Sequence, residues 1–222
     1  MSAKQALIQS MKTEIEKEEA HKSLETWLDL SSDGDVGAVW YSAGKTEDDF
    51  DDDDGLGDFP TEGDEWDEAL KGYIKERFAD FEGAFDHTAK EEGSSLHVTR
   101  CISVGDAEKF VGLLKQNRYM KSYKGVGIFW SWDKDKADCH WGTGKDHILL
   151  HGLVDARHIN TKNTVMKNLQ PSLGEEEAEI EVEEGSPIKV LIVEDSKGKP
   201  IWKGRSEVKA FSYSSIIKEF YK

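Results

Sequence analysis

The chain has 222 residues, 37% of them hydrophobic, with enough Trp, Phe and Tyr to build the core of one domain of ordinary size. Its formal net charge of −16 argues against non-specific binding to nucleic acid. The sequence has no apolar run of about 18 residues and no secretory signal at its start, so we expect neither a membrane span nor export. Its two cysteines, Cys101 and Cys139, cannot form a disulfide framework, and we expect a soluble protein of the reducing cytoplasm.

The acidity is concentrated in one part of the chain. Residues 31–66 carry 13 acidic residues and one basic residue, Lys45. Residues 94–174 carry 12 Lys or Arg residues and seven acidic ones, so this central segment is locally basic. An anionic small molecule is therefore a candidate ligand for the central segment.

Residues 4–30 place apolar side chains at helical spacing and predict one or two helices ending near Ser31–Gly34. The run Val36–Ser42 predicts a short strand or a buried apolar plug. Residues 45–63 combine high charge with Gly and Pro, which is typical of a flexible acidic linker. We expect an N-terminal helical segment at 1–44, this linker at 45–63, and a domain at 64–222.

The acidic linker does not fit the calcium loop of an EF-hand. That loop requires an acidic residue at its first position and Gly at its sixth. Setting Gly55 at the sixth position places Phe50 at the first, so the register fails.

Residues 64–84 return to helical spacing, and we interpret their aromatic stripe as core packing. From Ser95 onward the pattern changes mainly to strands, with one short helix at 107–117. The predicted strands are 96–104, 125–132, 147–154, 177–182, 189–193, and a last pair at Trp202 and 208–211. Helices followed by strands indicate the α+β class.

The most regular alternation is in the acidic strand. Glu177, Glu179, Glu181 and Glu183 alternate with Ala178, Ile180 and Val182, which predicts a strand with one buried face. A turn at 185–187 and an apolar run at 188–193 then predict a hairpin onto a central strand. Four carboxylates on one strand face repel each other, so they form either a solvated face or part of a site.

Several common sites are not supported by the sequence. Gly125-Val126-Gly127 lacks the third glycine of a dinucleotide fingerprint, and residues 142–146 lack the hydroxyl residue of a P-loop. Cys139, His140, His147 and His151 lack the spacing of a zinc site, so we expect no metal. No nucleophile elbow of a serine hydrolase is present.

Three motifs follow one another in order: LHVTRCI with Arg100, IFWSWD with Ser131, and GEEEAEIEVEEGSPIKV with Glu177 and Glu179. Together they resemble the Arg–Ser–Glu class of mono-ADP-ribosyltransferases over roughly residues 64–211. The resemblance implies an ADP-ribosyltransferase-like fold, with two packed, mostly antiparallel sheets preceded by helices. The chain departs from the family in keeping only the first serine of Ser-Thr-Ser. It also lacks an aromatic residue in the loop before the glutamates.

What the resemblance implies is transfer of ADP-ribose from NAD to a macromolecular nucleophile, with release of nicotinamide. Glu179 would stabilise the positive charge that develops at the anomeric carbon. Glu177 would orient or deprotonate the acceptor, and a Glu at that position goes with arginine acceptors. Arg100 would bind the phosphates or the nicotinamide ribose of NAD. Ser131 would contact NAD and hold Glu179 by a hydrogen bond.

Two other hypotheses stay open. The same site could hydrolyse NAD without an acceptor. If the chain is a transferase, we expect a toxin-like effector that acts on a protein, but these residues do not indicate which one. A different class is a non-enzymatic acidic binding or inhibitor protein that covers a basic partner, as the charge of −16 suggests. An enzyme should lose activity on Glu179→Gln, whereas a charge-driven binder should weaken steeply with salt.

Overall fold

The computed structural model describes residues 1–28, 33–50, 59–104, 107–116, 119–122, 127–137, 147–170 and 178–204. Some of the expectations above fall outside these ranges. They concern Glu177, the middle of the acidic segment, the cysteine at 139, the glycine-rich residues 142–146 and the last predicted strand at 208–211.

Three helices form the N-terminal part of the chain: α1 (Ala3–Ile15), α2 (Glu18–Leu28) and α3 (Asp33–Ser42). The first two confirm the helical prediction for residues 4–30. Helix α1 begins with a capping box, in which the Ser2 side chain accepts a hydrogen bond from the Gln5 amide and the Gln5 side chain accepts one from the Ser2 amide.

The strand or plug expected at Val36–Ser42 is instead the helix α3. Its buried side chains Val36, Val39 and Trp40 recur at helical spacing, and the Trp40 ring lies 5.6 Å from the Trp66 ring of the next helix. The apolar run was too short for its periodicity to distinguish a helix from a strand.

Helix α4 (Asp64–Thr88) confirms the longest helical prediction. Acidic side chains in its first turn suit the positive end of the helix dipole. The aromatic stripe is core packing as expected, with these residues buried: Trp66, Tyr73, Phe78, Phe81 and Phe85. These aromatics share one apolar cluster with α1, α2, α3 and the sheet, so the N-terminal helices pack on the rest of the chain.

The described residues of the acidic linker, on either side of 51–58, also pack against α3. The ring centroids of Phe50 and Trp40 lie 4.7 Å apart, and those of Phe59 and Tyr41 lie 5.8 Å apart. The indole nitrogen of Trp40 donates a hydrogen bond to the Pro60 carbonyl at 2.9 Å. Residues on both sides of 51–58 are therefore held against α3.

The described strands form one antiparallel sheet, and the fold is α+β. The strands are β1 (Glu91–Glu92), β2 (Ser95–Ser103), β3 (Tyr119–Lys121), β4 (Phe129–Ser131), β5 (His147–Asp155), β6 (Glu179–Glu181), β7 (Pro187–Asp195) and β8 (Pro200–Lys203). Their order is β3-β7-β5-β2-β4-β6, with β1 also on β2 and β8 also on β7.

This single sheet differs from the two packed sheets implied by the resemblance. The ladder between β2 and β4 consists of one residue pair, Thr99 with Ser131. Among the described residues, this one residue pair is the ladder that joins β4 and β6 to the other strands. This point is where the candidate site lies.

The predicted hairpin between the acidic strand and the following central strand is wrong. Strand β6 pairs with β4, whereas β7 pairs with β5, β3 and β8. The connecting backbone has other partners, because Val182 bridges to Ile159 and the Ser186 carbonyl accepts a hydrogen bond from the Ser122 amide. The central position of β7 is as predicted.

Most other predicted elements agree with the structure. Helix α5 (Ala107–Gln116) and strands β2 and β5 lie where expected, while β4 is shorter than its prediction. Helix α6 (Thr161–Leu169) lies in the segment expected to be a loop before the glutamates. Its N-cap is Asn160, whose side chain accepts a hydrogen bond from the Asn163 amide.

In the described ranges, no helix is both long and apolar enough to cross a membrane. Cys101 is disulfide-bonded.

Candidate functional site

Three polar side chains form a row across the sheet. In the register, Thr99 on β2 lies opposite Ser131 on β4, and Ser131 lies opposite Glu179 on β6. Directly opposed residues of antiparallel strands project to the same face. All three residues are buried, so two of the predicted site residues, Ser131 and Glu179, lie side by side on a covered face.

Arg100 follows Thr99, so its side chain leaves β2 on the other face of the strand. Its guanidinium turns towards β4, where Nη1 donates a hydrogen bond to the Phe129 carbonyl. Burial lowers the pKa of Arg100, and attraction to Glu179 opposes this shift. The structure therefore brings Arg100 within electrostatic reach of Glu179.

Gly127 makes room for this guanidinium. A Cβ built on Gly127 would lie 2.8 Å from Nη2 of Arg100, closer than side-chain carbons approach other atoms. The φ angle of Gly127 is +78°, a left-handed conformation that favours glycine. This position thus needs glycine both for its backbone and for the space above it.

Ser131 does not direct its hydroxyl hydrogen at Glu179. Its Oγ donates to the Asp133 carbonyl at 2.7 Å and accepts from the Asp133 amide at 3.1 Å. Because a hydroxyl has one hydrogen, the expected hydrogen bond from Ser131 to Glu179 is not formed in this rotamer. Ser131 instead fixes the turn that follows β4.

Glu179 is enclosed and lies beside a lysine from α6. The residue is 9% exposed, and its Oε1 lies 3.5 Å from Nζ of Lys167. The same Nζ lies 4.5 Å from the centroid of the Phe129 ring. Glu179 is therefore a buried carboxylate with Arg100 and Lys167 as cationic neighbours, and not one of several solvated acids.

Helix α6 positions the backbone of β6 through polar side chains. Nδ2 of Asn168 donates to the Glu179 carbonyl at 2.8 Å and to the Thr164 carbonyl at 2.7 Å. The Thr164 hydroxyl accepts from the Glu181 amide at 3.1 Å. Because β6 ends the sheet order, these contacts satisfy backbone groups that have no further strand to pair with.

The neighbouring acids of the strand have other environments. Oε1 of Glu181 accepts hydrogen bonds from the side-chain amides of Asn160 and Asn163, at 3.1 and 2.8 Å. Glu183 is exposed, with its Oε2 3.9 Å from Nδ1 of His158. Of the three acids described on this strand face, only Glu179 combines burial with two nearby cations.

Ala178, which precedes Glu179, has a strained backbone. Its φ of +46° is left-handed, a conformation that costs a non-glycine residue about 1–2 kcal/mol. The residue is buried, and its carbonyl accepts a hydrogen bond from the Trp132 amide at 3.1 Å. Such strain is often found where a neighbouring side chain must be held in place.

A second buried polar cluster continues the row beyond Thr99. His151 lies opposite Thr99 on β5, and its Nε2 is 3.2 Å from Oε2 of Glu194 on β7. Nζ of Lys134 is 3.7 Å from the same oxygen. Burial raises the pKa of Glu194, but His151 and Lys134 lower it by more, so the carboxylate stays ionised.

Sequence reasoning missed Lys167, Asn168 and Gly127 as parts of this site. The first two lie on α6, where a loop is expected, although the cap residue Asn160 and the helical spacing of Thr164, Val165, Asn168 and Leu169 are signals of a helix. No local pattern indicated that Gly127 faces Arg100. Glu177, which is expected to orient or deprotonate the acceptor, lies outside the described residues.

Among the described residues, no three His, Cys, Asp or Glu side chains are grouped closely enough to hold a metal ion. Comparison with known proteins gives no relative: no family model, no curated protein and no solved structure matches the chain.

Proposed function

We propose that this chain transfers ADP-ribose from NAD to a nucleophile on a macromolecular target and releases nicotinamide. The observation that carries the proposal is the buried Glu179 carboxylate, placed opposite Ser131 and close enough to Arg100 for its charge to raise the pKa of the guanidinium. Burial of an ionised carboxylate is costly and needs compensation, which a purely solvated face would not require.

The chemistry needs a fixed negative charge close to one carbon. When the bond from the ribose anomeric carbon to nicotinamide breaks, its electron pair goes to the ring nitrogen, which becomes neutral. Positive charge then develops on the ribose carbon, and a preorganised carboxylate in a dry site stabilises it. In our proposal Glu179 is this carboxylate, and its backbone is held by Asn168.

The acceptor completes the reaction by attacking the anomeric carbon. Its lone pair forms the new bond to the anomeric carbon, and the acceptor loses one proton. We assign this proton transfer to Glu177, the role that the resemblance implies for it. The resemblance favours the guanidinium of an arginine side chain, presented by a protein, as the acceptor.

Arg100 and Ser131 are assigned to substrate binding. One N–H group of Arg100 is used by the Phe129 carbonyl, and a guanidinium has five N–H donors. We assign the others to the phosphates or the nicotinamide ribose of NAD. The Ser131 hydroxyl rotates about one bond, so it can exchange Asp133 for the substrate or for Glu179 when NAD binds.

The test is transfer of label from NAD to a macromolecule. The purified protein is incubated with a cell lysate and NAD labelled in its adenylate phosphate, beside Glu179→Gln and Glu183→Gln. We expect label on a macromolecule with the wild type and with Glu183→Gln, because Glu183 is exposed. Glu179→Gln should lower labelling by about a hundredfold or more, as for loss of one preorganised electrostatic group.

The other outcomes discriminate between the hypotheses. Free ADP-ribose without labelled macromolecule would replace the transferase by an NAD hydrolase at the same site. Equal labelling by wild type and Glu179→Gln would contradict the proposed role of Glu179. If wild type neither bound nor cleaved NAD, the proposal would fail and a charge-driven acidic binder would remain.

A further inference from the structure

An open groove lies between the end of α3 and the first turns of α4. It has a volume of about 570 Å³, which is within the range of ligand sites in proteins. One side comes from residues between Trp40 and Lys45, and the other from the face of α4 between Asp64 and Gly72. In the described part of the chain, its lining shares no residue with the site around Glu179. The groove is therefore a separate feature of the molecule.

The base of the groove is apolar and is held in place by the core. Trp40 and Ala69 line the groove and are 2% and 6% exposed. The Trp40 indole donates its hydrogen bond to the Pro60 carbonyl and lies 5.6 Å from the Trp66 ring. Because these contacts already fix the base, a ligand that enters the groove does not have to order it first.

Gly72 keeps the groove open on the side of α4. Among the described residues, no atom lies within 4 Å of a Cβ built on this glycine. A glycine inside a helix lowers helix stability relative to alanine, so the sequence gives up some stability here for an open surface. The space above Gly72 is large enough for an apolar side chain of a ligand.

The rim of the groove is acidic. Asp64, Glu65 and Glu68 line it and are exposed, and Lys45 is the one basic residue among its described lining residues. Glu68 forms an ion pair of 2.8 Å with Lys71, but both side chains are more than half exposed. Such a surface pair contributes little, so a basic ligand can take the place of Lys71.

The sequence around the groove does not offset this charge. Residues 51–58 contain five Asp and no basic residue. Phe50, which precedes them, packs on Trp40 at the base of the groove, with the ring centroids 4.7 Å apart. The negative charge of this region therefore favours a cationic ligand.

The dimensions of the groove fit a short peptide. From Asp64 to Gly72, α4 rises by about 12 Å, which is about the length of four residues of extended chain. A small cation would contact the acidic rim and leave the apolar base open to water. An apolar molecule would fill the base and leave the acidic side chains unused. A basic peptide with one apolar side chain uses both features.

We propose that this groove is a docking site for a basic peptide segment of a partner protein. One apolar side chain of the segment enters the groove above Trp40, and the Lys or Arg residues beside it contact the acidic rim. The apolar side chain provides most of the affinity, while the rim selects for charge. The proposal goes beyond the proposed function, because binding at the groove needs neither NAD nor Glu179.

The experiment is a calorimetric titration of the full chain with three synthetic peptides that have blocked ends. They are Lys-Lys-Leu-Lys-Lys, Lys-Lys-Ser-Lys-Lys and Glu-Glu-Leu-Glu-Glu. We expect the basic leucine peptide to bind more tightly than the serine peptide by about tenfold or more, as for burial of one leucine side chain. The acidic peptide should not bind, and added salt should weaken the basic leucine peptide.

Two glycine variants test the position of the site. Gly72→Leu fills the groove, and Gly83→Leu makes the same change at another exposed position of α4. Among the described residues, the would-be Cβ of Gly83 also has no atom within 4 Å. Neither change should lower the unfolding midpoint, because leucine favours a helix more than glycine does. We expect Gly72→Leu to weaken the basic leucine peptide by about tenfold or more, and Gly83→Leu to bind it like wild type.

A second pair of variants tests the rim. Glu65→Gln removes one charge from the groove, and Glu76→Gln removes one from an exposed position further along α4. We expect Glu65→Gln to weaken the basic leucine peptide by about threefold, the size of one exposed ion pair. Glu76→Gln should bind it like wild type.

The outcomes separate this proposal from the proposed function. Loss of peptide binding in Gly72→Leu but not in Gly83→Leu supports it whether or not NAD is cleaved. Equal binding of the leucine and serine peptides would overturn it, because charge alone would then explain the contact. Wild-type affinity in Gly72→Leu would overturn it, since the peptide would then bind elsewhere. No binding of the basic leucine peptide by wild type at about 1 mM would overturn it as well.

Discussion

The side-chain amide of Asn168 donates a hydrogen bond of 2.8 Å to the backbone carbonyl of Glu179, and it thereby joins α6 to the outermost strand of the sheet. The same amide also bonds the Thr164 carbonyl within the helix. Lys167 is the preceding residue on this helix. The position of Glu179 and that of its cationic neighbour therefore depend on the same turn of α6.

We expect Asn168→Ala to lower both stability and activity. Asn168 is 4% exposed, and its truncation would remove the side-chain donor to the Glu179 carbonyl, at a cost of about 2 kcal/mol. Urea unfolding measures this cost. Asn163→Ala is the control, because Asn163 is exposed and its side-chain amide donates a hydrogen bond to the Glu181 carboxylate. This variant should lower the free energy of unfolding by about 1 kcal/mol or less. Equal costs for the two variants would contradict a role of Asn168 in holding β6.

Gly127→Ala should displace Arg100. The new methyl group would meet the guanidinium at 2.8 Å, so we expect kcat/KM for NAD cleavage to fall by about tenfold or more.

The matched control for that variant is Gly93→Ala. Gly93 also has a left-handed φ, of +62°, but no atom lies within 4 Å of its would-be Cβ. Both variants should lose about 1 kcal/mol of stability, because both place alanine in a left-handed conformation. Loss of activity in both would show that backbone strain, not displacement of Arg100, is the cause.

Ala178 allows the strain beside Glu179 to be measured. Ala178→Gly removes the left-handed strain but also removes a buried methyl group, so its stability should lie within about 1 kcal/mol of wild type. Ala178→Val should cost about 2 kcal/mol or more, because a β-branched residue fits positive φ poorly. Thermal or urea unfolding gives both values. A valine variant as stable as wild type would show that the backbone at Ala178 is not constrained.

The free energy of unfolding should fall as the pH is lowered from 6.5 towards the pKa of folded His97. Burial, together with the positive charges of Lys90 and His151, lowers the pKa of His97 from 6.5 to about 4. Glu92, 3.7 Å away and half-exposed, is too solvated to outweigh the burial. Because the unfolded chain binds the proton first, stability is complete above pH 6.5. It should decrease by about 2 kcal/mol by pH 5.

Urea unfolding across this pH range tests the effect, with His97→Gln as the comparison. The variant should have a flatter pH profile between pH 6.5 and 5. The carboxylates with lowered pKa, Glu194 and Asp155, lose their contribution only at lower pH and so do not interfere. An unchanged slope in His97→Gln would assign the pH dependence to other groups.

The parts of the fold that follow local periodicity could be predicted from sequence. Alternation indicated β2 and β5, and an aromatic stripe at helical spacing indicated α4. The pairing of the acidic strand could not be predicted in this way, because the choice of a strand partner depends on residues distant in sequence. Helix α3 was missed since its ten residues are too short for a decisive pattern.

The candidate site shows the same division. Glu179 and Glu183 have identical positions in the alternation, yet one is buried and the other is exposed. The difference arises from α6, which packs along β6 and reaches the Glu179 carbonyl through Asn168. A sequence pattern can therefore place several carboxylates on one face, but it cannot show which of them has cationic neighbours.

The most direct test of the central claim is the rate of nicotinamide release from NAD, measured without any acceptor in wild type, Glu179→Gln and Glu183→Gln. We predict measurable release by wild type and by Glu183→Gln. In Glu179→Gln, with the fold intact, the rate should be lower by about a hundredfold or more. Release by Glu179→Gln at the wild-type rate, or no release by the wild type, would contradict the assignment of Glu179 as the carboxylate that supports cleavage.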